Sequence, residues 1–153
     1  MAAFLAVGCH TVDDERIPPV EVYVPFTTEA DWITHGVSGA CMSKRFVKQL
    51  RLPNNYPYNQ WSNTGFGGVL LCTDIHGTPI AYDLACPVEV RYDVRLEVDQ
   101  ELQKARCPRC GSIFDIYTNY GYPVSGPAAE DGYAMQVYRV TPGPQGIFRA
   151  ILP

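Results

Sequence analysis

Apolar residues recur at every second position over much of this chain, which is the spacing of strands rather than helices. Val20, Val22, Val24 and Phe26 fall on one face of a first strand, with Glu21 and Tyr23 on the other. Pro18-Pro19 just before it blocks helix entry. Residues 67–75 read as a buried strand around the apolar run Gly68-Val69-Leu70-Leu71-Cys72. His76-Gly77-Thr78-Pro79 is a turn joining it to a partner over 80–85 as a hairpin. A strand over 92–98 and a segment ending near Arg106 flank a longer connection, and a short strand covers 113–117. Residues 135–140 and 147–152 make a closing pair turned by Pro142-Gly143-Pro144. No run has convincing helical spacing. Residues 30–66 read as long irregular loops packed by aromatic rings, rich in Asn, Pro and Tyr around 54–63. The chain reads as all-β.

At 153 residues, 46% hydrophobic and 18% charged, the sequence suits one domain with a real core. The formal charge is −4 and the 12 basic residues are scattered, so nothing favours nucleic acid or an anionic membrane surface. No apolar run approaches the ~20 residues a membrane-spanning helix needs. Ser38, Ser43, Ser62, Ser112 and Ser125 lack the Gly-x-Ser-x-Gly setting of a hydrolase nucleophile. Gly65-Phe66-Gly67-Gly68 is a glycine-rich turn with neither a helix signal nor a lysine after it, which argues against phosphate binding.

The chemistry of the sequence lies in its 6 cysteines. Cys107-Pro108-Arg109-Cys110-Gly111-Ser112 is a knuckle: two residues between cysteines let both sulfurs reach one ion, Pro stiffens the turn, and Gly lets amides face the thiolates. Cys86-Pro87-Val88-Glu89 is a second short loop with one certain thiol. Cys72 sits in the buried run and Cys41 beside Met42, so both read as core or loop residues rather than ligands. His10, His35 and His76 read as turn or surface residues.

From about Gly68 to the C-terminus, the chain resembles a Rieske-type domain. That family's first loop Cys-x-His is matched by Cys86-Pro87-Val88, and its second loop Cys-x-x-His-Gly-Ser by Cys107-Pro108-Arg109-Cys110-Gly111-Ser112. Phe114-Asp115, Gly121, Gly126-Pro127-Ala128 and the strand at Tyr138-Arg139-Val140 follow in the family's order. The resemblance implies an antiparallel β-sandwich of the Rieske kind with two cluster-type loops at one end. It departs from the family at both histidine positions, Val88 being unable to ligate and Cys110 replacing nitrogen by sulfur. An ordinary Rieske centre, with two cysteines on one iron and two histidines on the other, is therefore not expected.

Two readings of the three thiols stay open. Cys86, Cys107 and Cys110 hold one metal ion, zinc being favoured, with a fourth oxygen or water, Glu89 being the first candidate because Cys-x-x-Glu mimics Cys-x-x-Cys spacing; three thiolates and a carboxylate would make a closed, structural site. Alternatively, Cys86 bridges Cys107 or Cys110 as a disulfide and no metal is held. Tyr117, Tyr120, Tyr122 and Tyr133 cluster after the second loop, as core packing or a partner-facing rim.

The first residues add a location. Ala2 to Val7 is apolar, Gly8-Cys9 follows, and an acidic segment runs from Asp13 to Arg16. This resembles the end of a bacterial lipoprotein signal, which implies that Cys9 is lipidated. On that reading residues 1–16 are an anchor and linker, and 17–153 one Rieske-like β domain on the outer membrane or cell surface, or else in the periplasm. The membrane is met only through the lipid, and an envelope protein is the expected partner. The functional expectation is a non-enzymatic interaction module with a degenerate cluster site. The alternative is an electron-transfer protein holding a [2Fe–2S] cluster on unusual ligands.

Overall fold

In a computed structural model, residues 11–153 are described; Cys9, the expected lipidation site, lies outside them, as does His10. The described chain is all-β, built as two antiparallel sheets. The larger uses β1 (Val22–Phe26), β2 (Ser43–Phe46), β3 (Asn63–Thr64), β4 (Val69–Thr73), β5 (Pro79–Asp83), β10 (Val137–Thr141) and β11 (Arg149–Leu152), in the order β2-β4-β5-β10-β11-β1-β3. Its two edges nearly meet, because Lys48, just past β2, donates its backbone N–H to Thr64 Oγ1 of β3 at 3.3 Å. The smaller sheet runs β6 (Glu97–Asp99), β7 (Lys104–Arg106), β8 (Ile113–Asp115) and β9 (Tyr122–Ser125) in chain order.

Strand β4 explains why its sequence is apolar without alternation. Val69 and Leu71 face one core cluster, with Phe26, Phe46, Trp32 and Tyr56, while Leu70 and Cys72 face another, with Tyr82, Leu84, Leu96, Phe114 and Met135. Both faces are covered, so each position of the period-two repeat demands an apolar side chain. Each fully buried Leu is worth about 1.5–3 kcal/mol. The predicted hairpin is present: β4 pairs β5 from Val69↔Asp83 to Thr73↔Pro79. The closing pair is also present, as Val140↔Ile151 between β10 and β11.

The expectation that helices are absent needs correction. Helix α1 (Glu29–His35) begins on a capping box in which Thr28 accepts from the Asp31 N–H and the Asp31 carboxylate accepts from the Thr28 N–H. Helix α2 (Pro127–Asp131) starts with Pro at its first turn and stops at Gly132. At seven and five residues both are too short to show periodicity, so their caps were the only signal. Residues 30–66 are accordingly less irregular than expected, holding most of α1 together with β2 and β3. The aromatic packing predicted there is real: Tyr56 stands edge-on to Phe26, Phe46 and Tyr58 at ring separations of 5.8, 5.2 and 4.6 Å. Strand β9 was not expected. Among the described residues, no helix is long and apolar enough to cross a membrane.

Residues 11–16, inside the expected linker, contact the domain. Asp13 pairs with the chain at 132–134, its N–H donating to Gly132 O at 2.8 Å and its carbonyl accepting from Ala134 N at 2.9 Å. Arg16 lies over the Tyr133 ring at 4.1 Å and donates from Nε to Pro87 O at 3.2 Å, beside the first cysteine loop.

Candidate metal centre

Three residues beyond the end of β5 stands Cys86, and the turn between β7 and β8 carries Cys107 and Cys110. The two loops come from different sheets and converge, so that the three sulfurs all lie within 4.8 Å of one another. The Cys86 and Cys110 sulfurs are 3.7 Å apart. All three are free thiols. Cys86 and Cys107 are fully buried at the edge of the second core cluster, whereas Cys110 is partly exposed at the mouth.

Local backbone bonds set each sulfur in place. The first loop is closed by Val90 N to Cys86 O at 2.9 Å and Cys86 N to Val94 O at 3.0 Å. Val90 takes a left-handed φ of 48°, costly for a β-branched residue, so this turn is held against its own preference by the contacts around it. In the knuckle, Cys107 N donates to Ser112 O at 2.9 Å, Gly111 N to Cys107 O at 3.0 Å, and Cys110 N to Cys107 Sγ at 3.5 Å. Gly111, at φ 75°, supplies the reversal its position between the sulfurs and Ser112 requires.

The two exposed-to-buried extremes of the site differ in acidity. Burial pushes the Cys86 thiol above its ordinary range, against the Glu89 and Val88 amides that favour the thiolate. Burial also acts on Cys110, but there hydrogen bonds with Ser112, Cys107 and Cys86 outweigh it and the pKa is lowered. Ser112, part of the knuckle motif but given no role by the sequence, has one here: its hydroxyl is buried, lies 3.1 Å from Cys110 Sγ, and accepts the Ala128 N–H of α2 at 3.0 Å. Its signal was the Gly-Ser pair after the second cysteine, which the resemblance to the Rieske-type second loop already contained. Comparisons with family models, curated proteins and solved structures found no match to this chain.

Glu89 is not brought to the sulfurs. Among the described residues, the cluster of ligand atoms comprises the three cysteines alone, and the Glu89 carboxylate instead faces Arg109 Nε at 3.4 Å, an ion pair that links the two cysteine loops. The reason lies in the knuckle itself, whose third residue is the arginine that attracts the carboxylate. Cys72 is buried within β4, and Cys41 packs against the edge of the same core cluster, as expected of non-ligands. His76 is exposed in the hairpin turn and His35 packs on Tyr56 at 5.6 Å, and neither joins the cluster. The tyrosines divide: Tyr117 is buried and Tyr133 half-buried, while Tyr120 and Tyr122 are exposed.

Below the site, Asp83 fixes the strand end that launches Cys86. Its buried carboxylate accepts from Tyr138 Oη at 2.6 Å, Ala85 N at 2.7 Å, and Phe66 N and Gly67 N at 3.0 Å each. Four donors on one carboxylate hold β5, β10 and the glycine-rich turn at 65–68 together, which gives that turn a structural purpose.

Three converging sulfurs can hold one thiophilic ion such as Zn²⁺. They do not supply the four protein ligands of an ordinary Rieske cluster, nor its two nitrogens.

Proposed function

We propose that this chain is a non-enzymatic, Rieske-like interaction module of the cell envelope whose cysteine tip binds a single metal ion, zinc being favoured. The observation that carries the reading is the convergence of Cys86, Cys107 and Cys110 from two loops of two sheets. Softness supports zinc: thiolate-only donor sets select Zn²⁺ or copper(I) over hard cations. The Rieske-like assignment rests on the order of the two cysteine loops, on Phe114-Asp115 in β8, and on Gly126-Pro127-Ala128 starting α2 against Ser112.

The ion's role on this reading is to rigidify the tip. Both loops are short; the second is exposed at Pro108 and Arg109 and the exposed Tyr92 follows the first, a surface suited to presenting side chains to a protein partner. A lipid on Cys9 would place the module on the outer membrane or cell surface.

Elemental analysis of protein purified from its native source tests the reading. One zinc per chain and a colourless sample are expected. Visible absorbance with acid-labile sulfide would instead assign an iron–sulfur electron carrier, and a metal-free protein with a Cys86 disulfide would assign the bridged alternative.

A further inference from the structure

We infer that the metal held by Cys86, Cys107 and Cys110 keeps its fourth coordination position open on the Cys110 side, and that this position takes a small external thiolate. The inference rests on the metal-binding reading above and goes beyond it, because a purely structural zinc is expected to be closed by four protein ligands.

Three observations lead here. First, the donor set stops at three: no histidine, aspartate or glutamate among the described residues joins the sulfurs. Second, the natural fourth ligand by sequence is engaged elsewhere, with Glu89 held to Arg109 at 3.4 Å and only 19% of its side chain exposed. Third, the site has one accessible side. Cys86 and Cys107 are fully buried, while Cys110 is partly exposed and the next residue, Gly111, faces open space, a Cβ there meeting nothing within 4 Å.

The chemistry of the ligand follows from the ion and the walls. A thiophilic ion on three thiolates accepts a fourth thiolate, a donor matched in softness to the other three. Access past Cys110 alone, with the other two sulfurs buried, suits a small molecule rather than a folded surface. A thiol that binds releases its proton to solvent and contributes one sulfur, with no change in oxidation state of metal or protein.

Cobalt(II) is the probe, since its sulfur charge-transfer absorption grows with the number of bound thiolates and its visible bands report geometry. The full chain is loaded with one equivalent of cobalt(II) without oxygen and titrated with 2-mercaptoethanol. A saturable rise of about one-third in charge-transfer intensity, the ratio of four thiolates to three, is expected. Glu89→Gln should leave both the starting spectrum and the titration unchanged. A cobalt spectrum that ignores the thiol, or that changes in Glu89→Gln, overturns the open position while leaving the three-cysteine site standing. Failure to take up cobalt at all overturns both readings.

Discussion

Cys86 and Cys110, 24 positions apart in sequence, carry sulfurs 3.7 Å from each other. That contact joins a loop after β5 to the turn between β7 and β8. Replacing one sulfur should therefore affect metal and fold together. Cys110→Ser is expected to lower both the metal content and the melting temperature, since a ligand at about a hundred times its Kd stabilises by ~2.7 kcal/mol. The measurement is elemental analysis beside thermal unfolding, with and without added zinc. Unchanged metal content in Cys110→Ser would remove this residue from the site.

Metal-free protein should alkylate in a fixed order. Cys110 is partly exposed and its pKa is lowered, whereas Cys86 is buried with a raised pKa and Cys107 is buried. Iodoacetamide followed by peptide mass spectrometry should find Cys110 modified before Cys86 and Cys107, and zinc should slow that modification. Equal rates at Cys86 and Cys110 would mean that the tip opens without metal.

Much of this architecture was legible from period-two spacing. The β10–β11 pair follows from it, and the β4–β5 hairpin from the unbroken apolar run of β4 and the turn signal after it, because burial on one or both faces leaves a regular mark. The short helices left none, and only Thr28-x-x-Asp31 announced α1. Spacing made Cys107 and Cys110 readable as a pair, and the resemblance to a Rieske-type two-loop pattern joined Cys86 to them. Glu89 was misplaced because local spacing says nothing of the arginine across the gap that draws the carboxylate away. Beside their local bonds to Cys110 and Ala85, Ser112 and Asp83 reach Ala128, Phe66 and Tyr138, 16 or more residues away, which no local pattern encodes.

Two glycines near the site should differ sharply in tolerance. Gly126 has φ 81°, and a Cβ there would lie 2.9 Å from the Ser112 Cα, so backbone must move. Gly111 has φ 75° but faces open space. Gly111→Ala should cost about 1 kcal/mol from conformation alone, and Gly126→Ala at least ~2 kcal/mol with weakened metal binding. Urea unfolding and zinc titration of both variants decide this, and equal costs would discount the Ser112 contact.

Asp83→Asn offers a pH test. Burial raises the Asp83 pKa, and the Tyr138 hydroxyl with the Ala85, Gly67 and Phe66 amides lowers it only part of the way back. The folded chain thus holds the proton more tightly than the unfolded one. That stabilisation is fully present below the unfolded value of about 3.9 and fades as pH rises through the folded value. The stability of the wild type relative to Asp83→Asn should therefore be greatest in acid, decline as pH rises, and level off above the raised pKa. Because Asn cannot accept from all four donors, the variant is expected to be weaker by about 1–3 kcal/mol at neutral pH. Urea unfolding from pH 3 to 8 checks both, and a relative stability that climbs with pH would reverse the assignment.

Cys86 leaves from the seven-stranded sheet while Cys107 and Cys110 belong to the four-stranded one. An ion gripping all three is consequently a rivet between layers. Pulling the sheets apart would load the metal–sulfur bonds together with the core cluster that both sheets share, so the chemistry of the tip would add to the mechanical strength of the body.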